Sequence, residues 1–448
     1  MRASAAGAAL LFSLALVSCG GGGAVTPYAG GPASASLAVR HASSAKISHV
    51  VIVIQENRSF NNLFYGFPGA KTVKYGYDTA GNKIKLQPVP LEVHWDAEHD
   101  ANGFLAACNG TGSIPGTSCR MNGFNKEWSC VGRSCPSNPT YAYVPHSETK
   151  PLFAIAGQYV LGDEMYASNF DASSFISHQY IIAGQGNSAV NYPWGDWGCP
   201  GGSGDNIDIV NAQRQFPSGY EPVCWDGTTL GDELDNTGLS WGFYTSSVET
   251  GDGIWSAYQA IKHIYYGVDW KKDVITPQKK FFGDVSKGKL RALSWITPTC
   301  ANSDHSGCGS NTGPAWVASI VNAVGQSKYW DSTAIFVFWD DYGGWYDSQP
   351  PAYVDYDGLG IRVPLLIVSA YAKQGHVSHT HYEHGTILKF VEQTFGLPAM
   401  AQSDSRATPP DDAFDFNQPP RKFKKIPAPL GTDFFLHQAP DLRLPDAQ

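Results

Sequence analysis

The sequence predicts an α/β fold whose mostly parallel sheet carries helices on both faces. Three observations predict it. Residues 49–54 (HVVIVI), 333–339 (TAIFVFW) and 363–369 (VPLLIVS) are continuous apolar runs rich in β-branched side chains, the pattern of strands covered on both sides. Helical patterns flank them, at 314–323 before the second run and at 382–395 after the third, the latter stopped by Gly396-Leu397-Pro398. Finally, a chain of 448 residues that is 42% hydrophobic and 13% aromatic can bury a large core and is not a disordered chain. The length alone allows two or three domains or one large α/β unit.

The elements follow in order. Arg2 is the one charge before an apolar run at 8–17, which is too short to span a bilayer and suits a secretory signal. Leu16-Val17-Ser18-Cys19 resembles a bacterial lipobox, which implies a lipidated Cys19 as the mature N-terminus, tethered to a membrane; the alternative is an ordinary signal peptide with an incidental Cys and a secreted or periplasmic protein. Residues 1–18 then form the signal, and the Gly-, Ala- and Ser-rich stretch 19–45 is a flexible tether. A main domain is expected over 46–402, with a loop-rich insertion at about 66–143. The Pro-rich segment 403–448 is expected to wrap that domain as an extended tail. Setting Cys19 aside leaves eight cysteines, an even number that in an exported chain reads as up to four disulfides. Cys199/Cys224 and Cys300/Cys308 are the expected local pairs, and Cys108, Cys119, Cys130 and Cys135 staple the insertion. Cys130-x4-Cys135 has no matching second half, which argues against structural zinc. With 31 basic against 40 acidic side chains and a net charge of −9, the chain lacks the basic face that duplex nucleic acid requires.

The chemistry sits where the buried runs end. The first leads into Gln55-Glu56-Asn57-Arg58-Ser59-Phe60 and the second into Asp340-Asp341-Tyr342-Gly343-Gly344. Polar side chains directly after parallel strands lie at the carboxyl edge of the sheet, where α/β proteins build their sites. Glu56, Asn57, Asp340 and Asp341 are all oxygen donors. Converging there, they would form a hard cage for one divalent ion, Ca²⁺, Mg²⁺ or Mn²⁺ rather than Zn²⁺. The plainer alternative is that the two Asp only cap the Gly-Gly turn.

These residues also carry a resemblance. HVVIVIQENRSFNNLF is similar to the opening motif of the bacterial phosphoesterase family that includes non-haemolytic phospholipases C and metal-dependent acid phosphatases. TAIFVFWDDYGGWYDSQPP resembles its second signature, and VPLLIVSAYAKQGHVSHTHYEHGTILKFVEQTFGLP its third, so the likeness runs from about residue 46 to 400. Asn61 and Tyr342 depart from it, standing where the family usually has Asp and His. The resemblance implies an alkaline-phosphatase-like three-layer α/β/α sandwich and metal binding by Glu56, Asn57, Asp340 and Asp341. It also implies a Ser or Thr nucleophile. Anchoring on Tyr180 and Ala183-Gly184 assigns that role to Ser174, with Ser173 and Ser177 as alternatives and His178 where many relatives carry Arg. A serine at a helix start can equally be only a cap.

A departing alkoxide needs a proton, and histidine titrates in the right range. Ser303-Asp304-His305 resembles the family's Ser-Glu-His segment and makes His305 the leading general acid, bracketed by Cys300 and Cys308. His379 and His384 in the third signature are further candidates, and His94 and His99 weaker ones. Aromatics such as Trp194, Trp197, Trp241, Tyr244 and Tyr265 either wall a pocket or only pack. The resulting expectation is a metal-assisted serine phosphoesterase, acting on a phosphomonoester or a phospholipid as an acid phosphatase or phospholipase C. The rival is a non-catalytic, cation-stabilised surface protein that binds carbohydrate or protein through its aromatic loops. Hydrolysis of phosphate esters with and without chelator separates them.

Overall fold

A computed structural model describes residues 46–130, 135–246, 255–441 and 443. The signal, Cys19 and the tether lie outside the described residues. Nine strands form the main sheet: β1 (His49–Gln55), β2 (Val160–Tyr166), β3 (Trp241–Tyr244), β4 (Val274–Ile275), β5 (Leu293–Ile296), β6 (Thr333–Trp339), β7 (Arg362–Ser369), β8 (His376–Ser378) and β9 (Tyr382–Glu383). Their order is β4-β3-β5-β1-β6-β7-β2-β8, with β9 also pairing β2. Val50 to Ile54 are completely buried, as are the apolar residues of β6 and β7. Each such side chain stabilises the fold by about 1.5–3 kcal/mol.

Helices cover both faces. Phe336 and Phe338 of β6 point towards α4 (His384–Phe395): the Phe336 and Phe390 rings lie 5.0 Å apart, and those of Phe338 and His384 lie 5.2 Å apart. The same layer holds α2 (Ser174–Ala183), which packs on α4. The intervening residues Ile335 and Val337 face the opposite way by the pleat. There α1 (His146–Gln158) and α3 (Gly313–Gly325) pack against one another. The result is the expected three-layer α/β/α sandwich.

All main-sheet pairs are parallel except those made by β7, which runs against both β6 and β2. A parallel return needs a crossover, commonly a helix. Residues 340–361 contain none and loop straight back. Four disulfides join Cys108–Cys119, Cys130–Cys135, Cys199–Cys224 and Cys300–Cys308. Residues 66–143 hold two small two-stranded sheets, the helix Ala101–Cys108 and much of a second apolar cluster around Phe104, Phe124 and Tyr141. The C-terminal segment crosses the sandwich. Phe414 stacks on Phe390, Arg421 bonds to the Ala372 and Gln158 carbonyls, and Phe435 packs edge-on against Trp316. Among the described residues no helix is long and apolar enough to cross a membrane.

Candidate active site

Adjacent strands β1 and β6 are in parallel register, with Gln55 opposite Trp339, so Glu56 and Asp340 leave the sheet side by side. Asn57 then turns through a left-handed conformation (φ 57°), and its backbone N–H donates to Asp340 Oδ1 at 2.9 Å. Gly343 is required opposite this turn. Its φ is +62°, and a Cβ there would lie 2.1 Å from the Asn57 carbonyl oxygen. The Gly343 N–H in turn donates to Asp341 Oδ1 at 2.7 Å. Glu56, Asn57, Asp340 and Asp341 are all fully buried.

Ser174 is the first residue of α2 and is also fully buried. Asp171 builds the turn before it. Its carboxylate accepts from the Ser173 and Asn191 amides, while Ala172 takes φ 50°. Burial pushes Asp171 up to about 7 against those hydrogen bonds. The Ser174 hydroxyl then sits 3.4 Å from Asn57 Oδ1 and 3.3 Å from Asp341 Oδ2. The neighbouring serines bond elsewhere, Ser173 to the Asn191 carbonyl and Ser177 to Asn169.

His178, one turn further along α2, brings a nitrogen into the cage. Its Nε2 is 3.2 Å from Glu56 Oε1 and 3.6 Å from Asp340 Oδ2. The candidate metal-holding group is thus Glu56, His178 and Asp340, with all three ligand atoms within 4.8 Å of one another, while Asp341 faces Ser174. Burial alone would raise Asp340, but His178, the Asn57 amide and Glu56 together hold it well below the ordinary carboxylate range. Asp340 Oδ2 has no partner at hydrogen-bond distance although it is buried. Three buried carboxylates beside one imidazole leave surplus negative charge that a divalent cation would offset.

A second cluster adjoins the first. His99 Nε2 is 2.7 Å from Asn57 Nδ2, and its Nδ1 is 2.7 Å from the Ala97 carbonyl. The carbonyl can only accept, so His99 is protonated at Nδ1 and takes a hydrogen bond from Asn57 at Nε2. This turns the Asn57 amide oxygen towards Ser174. Asp96, His99 and His305 likewise place ligand atoms within 4.8 Å of one another, and the His99 and His305 rings lie 5.8 Å apart. His305 is therefore beside the site. Arg58 fastens its loop from below, donating to the Asp304 carbonyl at 2.7 Å while stacking on Trp345.

His384 and His379 have different placements. His384 donates from Nε2 to the Trp339 carbonyl at 3.3 Å and accepts from the Ser168 amide at Nδ1. Burial lowers it to about 4, so it is neutral and holds the strand end before Asp340. The structure does not bring His379 to this cluster. It follows β8, is half exposed and bonds Asp163 at 2.8 Å. Strand β8 is three positions from β6, about 14 Å at ordinary strand spacing.

Tyr342 is buried away from the cage, donating to Glu127 Oε1 at 2.8 Å and so tying the 66–143 region to the site loop. Burial raises that Glu127 well above its ordinary value. The aromatic expectation divides. Trp241 and Tyr244 are core, Tyr265 packs on Trp270, and Trp194 is exposed, whereas Trp197 stands beside Phe175 and Tyr192 near the site. The contributions of His178 and His99 are the main features that sequence reading underweighted. The only signal was their proximity in sequence to Ser174 and to the Asp96 loop.

The phosphoesterase family model matches residues 47–398. The chain belongs to the phosphoesterase family. Non-specific phospholipase C1 of Arabidopsis thaliana is 23% identical, over 85% of this chain and 73% of its own length. Non-hemolytic phospholipase C of Pseudomonas aeruginosa is 23% identical over 91% and 62%, and phospholipase C B of Mycobacterium tuberculosis is 22% identical over 84% and 79%. The chain thus spans about three fifths to four fifths of these relatives' lengths. Among solved structures, a protein of the alkaline phosphatase superfamily from Vibrio parahaemolyticus is 12% identical over 83% of this chain and 77% of its own, with a TM-score of 0.37. Family membership makes the protein a phosphoesterase enzyme.

Proposed function

We propose that the enzyme hydrolyses phosphoric esters through Ser174, with a phosphoseryl intermediate and a bound divalent cation. The observation that carries this reading is the Ser174 hydroxyl, held between Asn57 Oδ1 and Asp341 Oδ2 next to the Glu56–His178–Asp340 group. The buried Asp340 Oδ2, with no donor closer than His178 Nε2 at 3.6 Å, and the oxygen-rich donor set fit an ion such as Ca²⁺, Mg²⁺ or Mn²⁺. Glu56, His178 and Asp340 would hold it, with the Asn57 and Asp341 oxygens that face Ser174 at its edge. When bound, it lowers the pKa of the serine hydroxyl and neutralises charge on the phosphoryl oxygens.

The chain's own groups do the rest. Ser174 Oγ passes its proton to Asp341 and bonds to phosphorus, and the bond from phosphorus to the leaving alkoxide breaks. His305, whose ring lies beside Asp96, supplies the proton that the alkoxide takes up. Water, giving a proton to His305, then attacks phosphorus, and Asp341 returns its proton to the departing Ser174 oxygen as the P–O bond breaks. The amino end of α2 points its dipole at the phosphoryl group throughout.

The substrate we assign is a phospholipid diester cleaved in the phospholipase C manner, in keeping with the names of the relatives, with a phosphomonoester as the alternative. Four disulfides support an exported protein, and Cys19 would anchor it to a membrane. The test is hydrolysis of a phosphocholine diester and a chromogenic phosphomonoester by purified protein, with chelator and then with added Mn²⁺, Mg²⁺ or Ca²⁺. Metal-dependent turnover with the diester preferred is expected. No turnover of either ester under any condition overturns the reading.

A further inference from the structure

We propose that the C-terminal residues Gln438, Asp441 and Arg443 form a strap that sets the position of the His305 loop, with Asp441 and Gln438 as positioning residues for leaving-group protonation. This rests on the assignment of His305 as the general acid.

The loop is short and closed at its base by Cys300–Cys308. Its inner side is fixed by the site itself: Gln55 Nε2 donates to the Asn302 carbonyl at 3.3 Å and Arg58 to that of Asp304. The C-terminal segment grips its outer side. The Ala301 N–H donates to Asp441 Oδ2 at 2.7 Å, Asn302 Nδ2 donates to Gln438 Oε1 at 2.7 Å, and Arg443 donates to the Cys308 carbonyl at 2.6 Å. Arg443 and Asp441 also form a two-bonded fork at 2.9 Å each, which orients the carboxylate towards the loop. Upstream, the segment is anchored to the body. Phe435 packs on Trp316, and Lys279 Nζ donates to the Leu436 and Gln438 carbonyls at 3.1 Å each.

Asn302 is the link between strap and cage. Its side chain binds Gln438, while its carbonyl binds Gln55, the residue before Glu56. Three points of attachment on a loop that carries His305 at its centre restrict how far the imidazole can swing. General-acid catalysis depends on a hydrogen-bond-length approach to the leaving oxygen, so freedom there costs rate. The strap lies beyond residue 398, where the family match ends.

The test uses two esters with the full-length protein: an alkyl phosphodiester, whose alkoxide needs a proton, and a p-nitrophenyl ester, whose phenolate does not. Asp441→Ala is expected to lower kcat for the alkyl ester about tenfold and to leave the p-nitrophenyl rate within about twofold, the selectivity a misplaced general acid produces. Manganese affinity by calorimetry should be unchanged. Asp441→Asn keeps an acceptor for the Ala301 amide and should restore most of the alkyl-ester rate. If Asp441→Ala does not fold, Gln438→Ala is read in the same way. His305→Ala is the control, expected to show the same selectivity at about 10²–10⁴-fold. Equal loss on both esters in the strap variants, or no loss, overturns the strap while a selective His305→Ala leaves the parent mechanism standing. An unselective His305→Ala overturns the general-acid assignment and the strap with it.

Discussion

Metal binding should expel a proton from the cage. Glu56 and Asp340 are fully buried, their oxygens lie within 4.8 Å, and His178 Nε2 is 3.2 Å from Glu56 Oε1. Two carboxylates that close, away from water, do not both ionise without a cation. Asp340 is the one held ionised, well below its ordinary range, by His178, the Asn57 amide and Glu56. A proton therefore lies between Glu56 Oε1 and His178 Nε2, 3.2 Å apart, in the metal-free protein, and a divalent ion that takes both atoms must displace it. Displacing one proton makes the apparent affinity rise tenfold, or about 1.4 kcal/mol, per pH unit. Titration calorimetry with Mn²⁺ in buffers of different ionisation enthalpy should report release of about one proton on binding. Glu56→Gln and His178→Ala should each reduce the release and flatten the pH dependence. Affinity that is flat with pH, or no proton exchange in the native protein, would refute the electrostatic reasoning.

Other outcomes follow from the same geometry. Ser174→Ala should reduce turnover on the order of 10³-fold or more, whereas Ser177→Ala, whose hydroxyl bonds only Asn169, should reduce it far less; steady-state kinetics decide. His379→Ala should leave kcat nearly unchanged, because its partner Asp163 is on the far strands of the sheet. Tyr342→Phe strips buried Glu127 of its donor and should lower stability by about 1–3 kcal/mol in urea denaturation, without loss of metal. Burial raises Asp171 and Asp304 to about 7, so both keep protons in the native state that the unfolded chain loses above about pH 4. Each then contributes stability present at low pH and lost as pH rises towards 7, at up to about 1.4 kcal/mol per pH unit. Melting curves in chelator should show a smaller slope over that window for Asp304→Asn.

The legible parts of this molecule were those where sequence pattern and burial coincide. Strands β1 and β6 are unbroken apolar runs because both faces are covered, and the residues that follow them must lie at the sheet edge. That pattern predicts Glu56, Asn57, Asp340 and Asp341 at the sheet edge, and the register of β1 with β6 sets Glu56 beside Asp340 there. Strand β7 has the same pattern but runs the other way, since a strand buried on both faces looks alike in either direction. Strand β2 lacks such a pattern. Gly162, Asp163 and Glu164 interrupt its apolar run, and Asp163 is buried only because the Lys71 amide and His379 bond its carboxylate. His178 and His99 were under-weighted because a lone histidine carries no spacing signal; their roles arise from the three-dimensional approach of α2 and the Asp96 loop. Tyr342 looked like a departure within the site, but its ring turns into the neighbouring core to meet Glu127. The strap could not be inferred from its Pro-rich composition, since its partners lie some 140 residues away.

The most direct test of the account is covalent trapping. Purified protein is given a ³²P-labelled phosphate ester with Mn²⁺, quenched in acid within the first turnovers, digested and mapped. The account predicts label on the peptide carrying Ser174, absent after chelation and absent in Ser174→Ala. Turnover that proceeds with no label on that peptide and survives Ser174→Ala would contradict it.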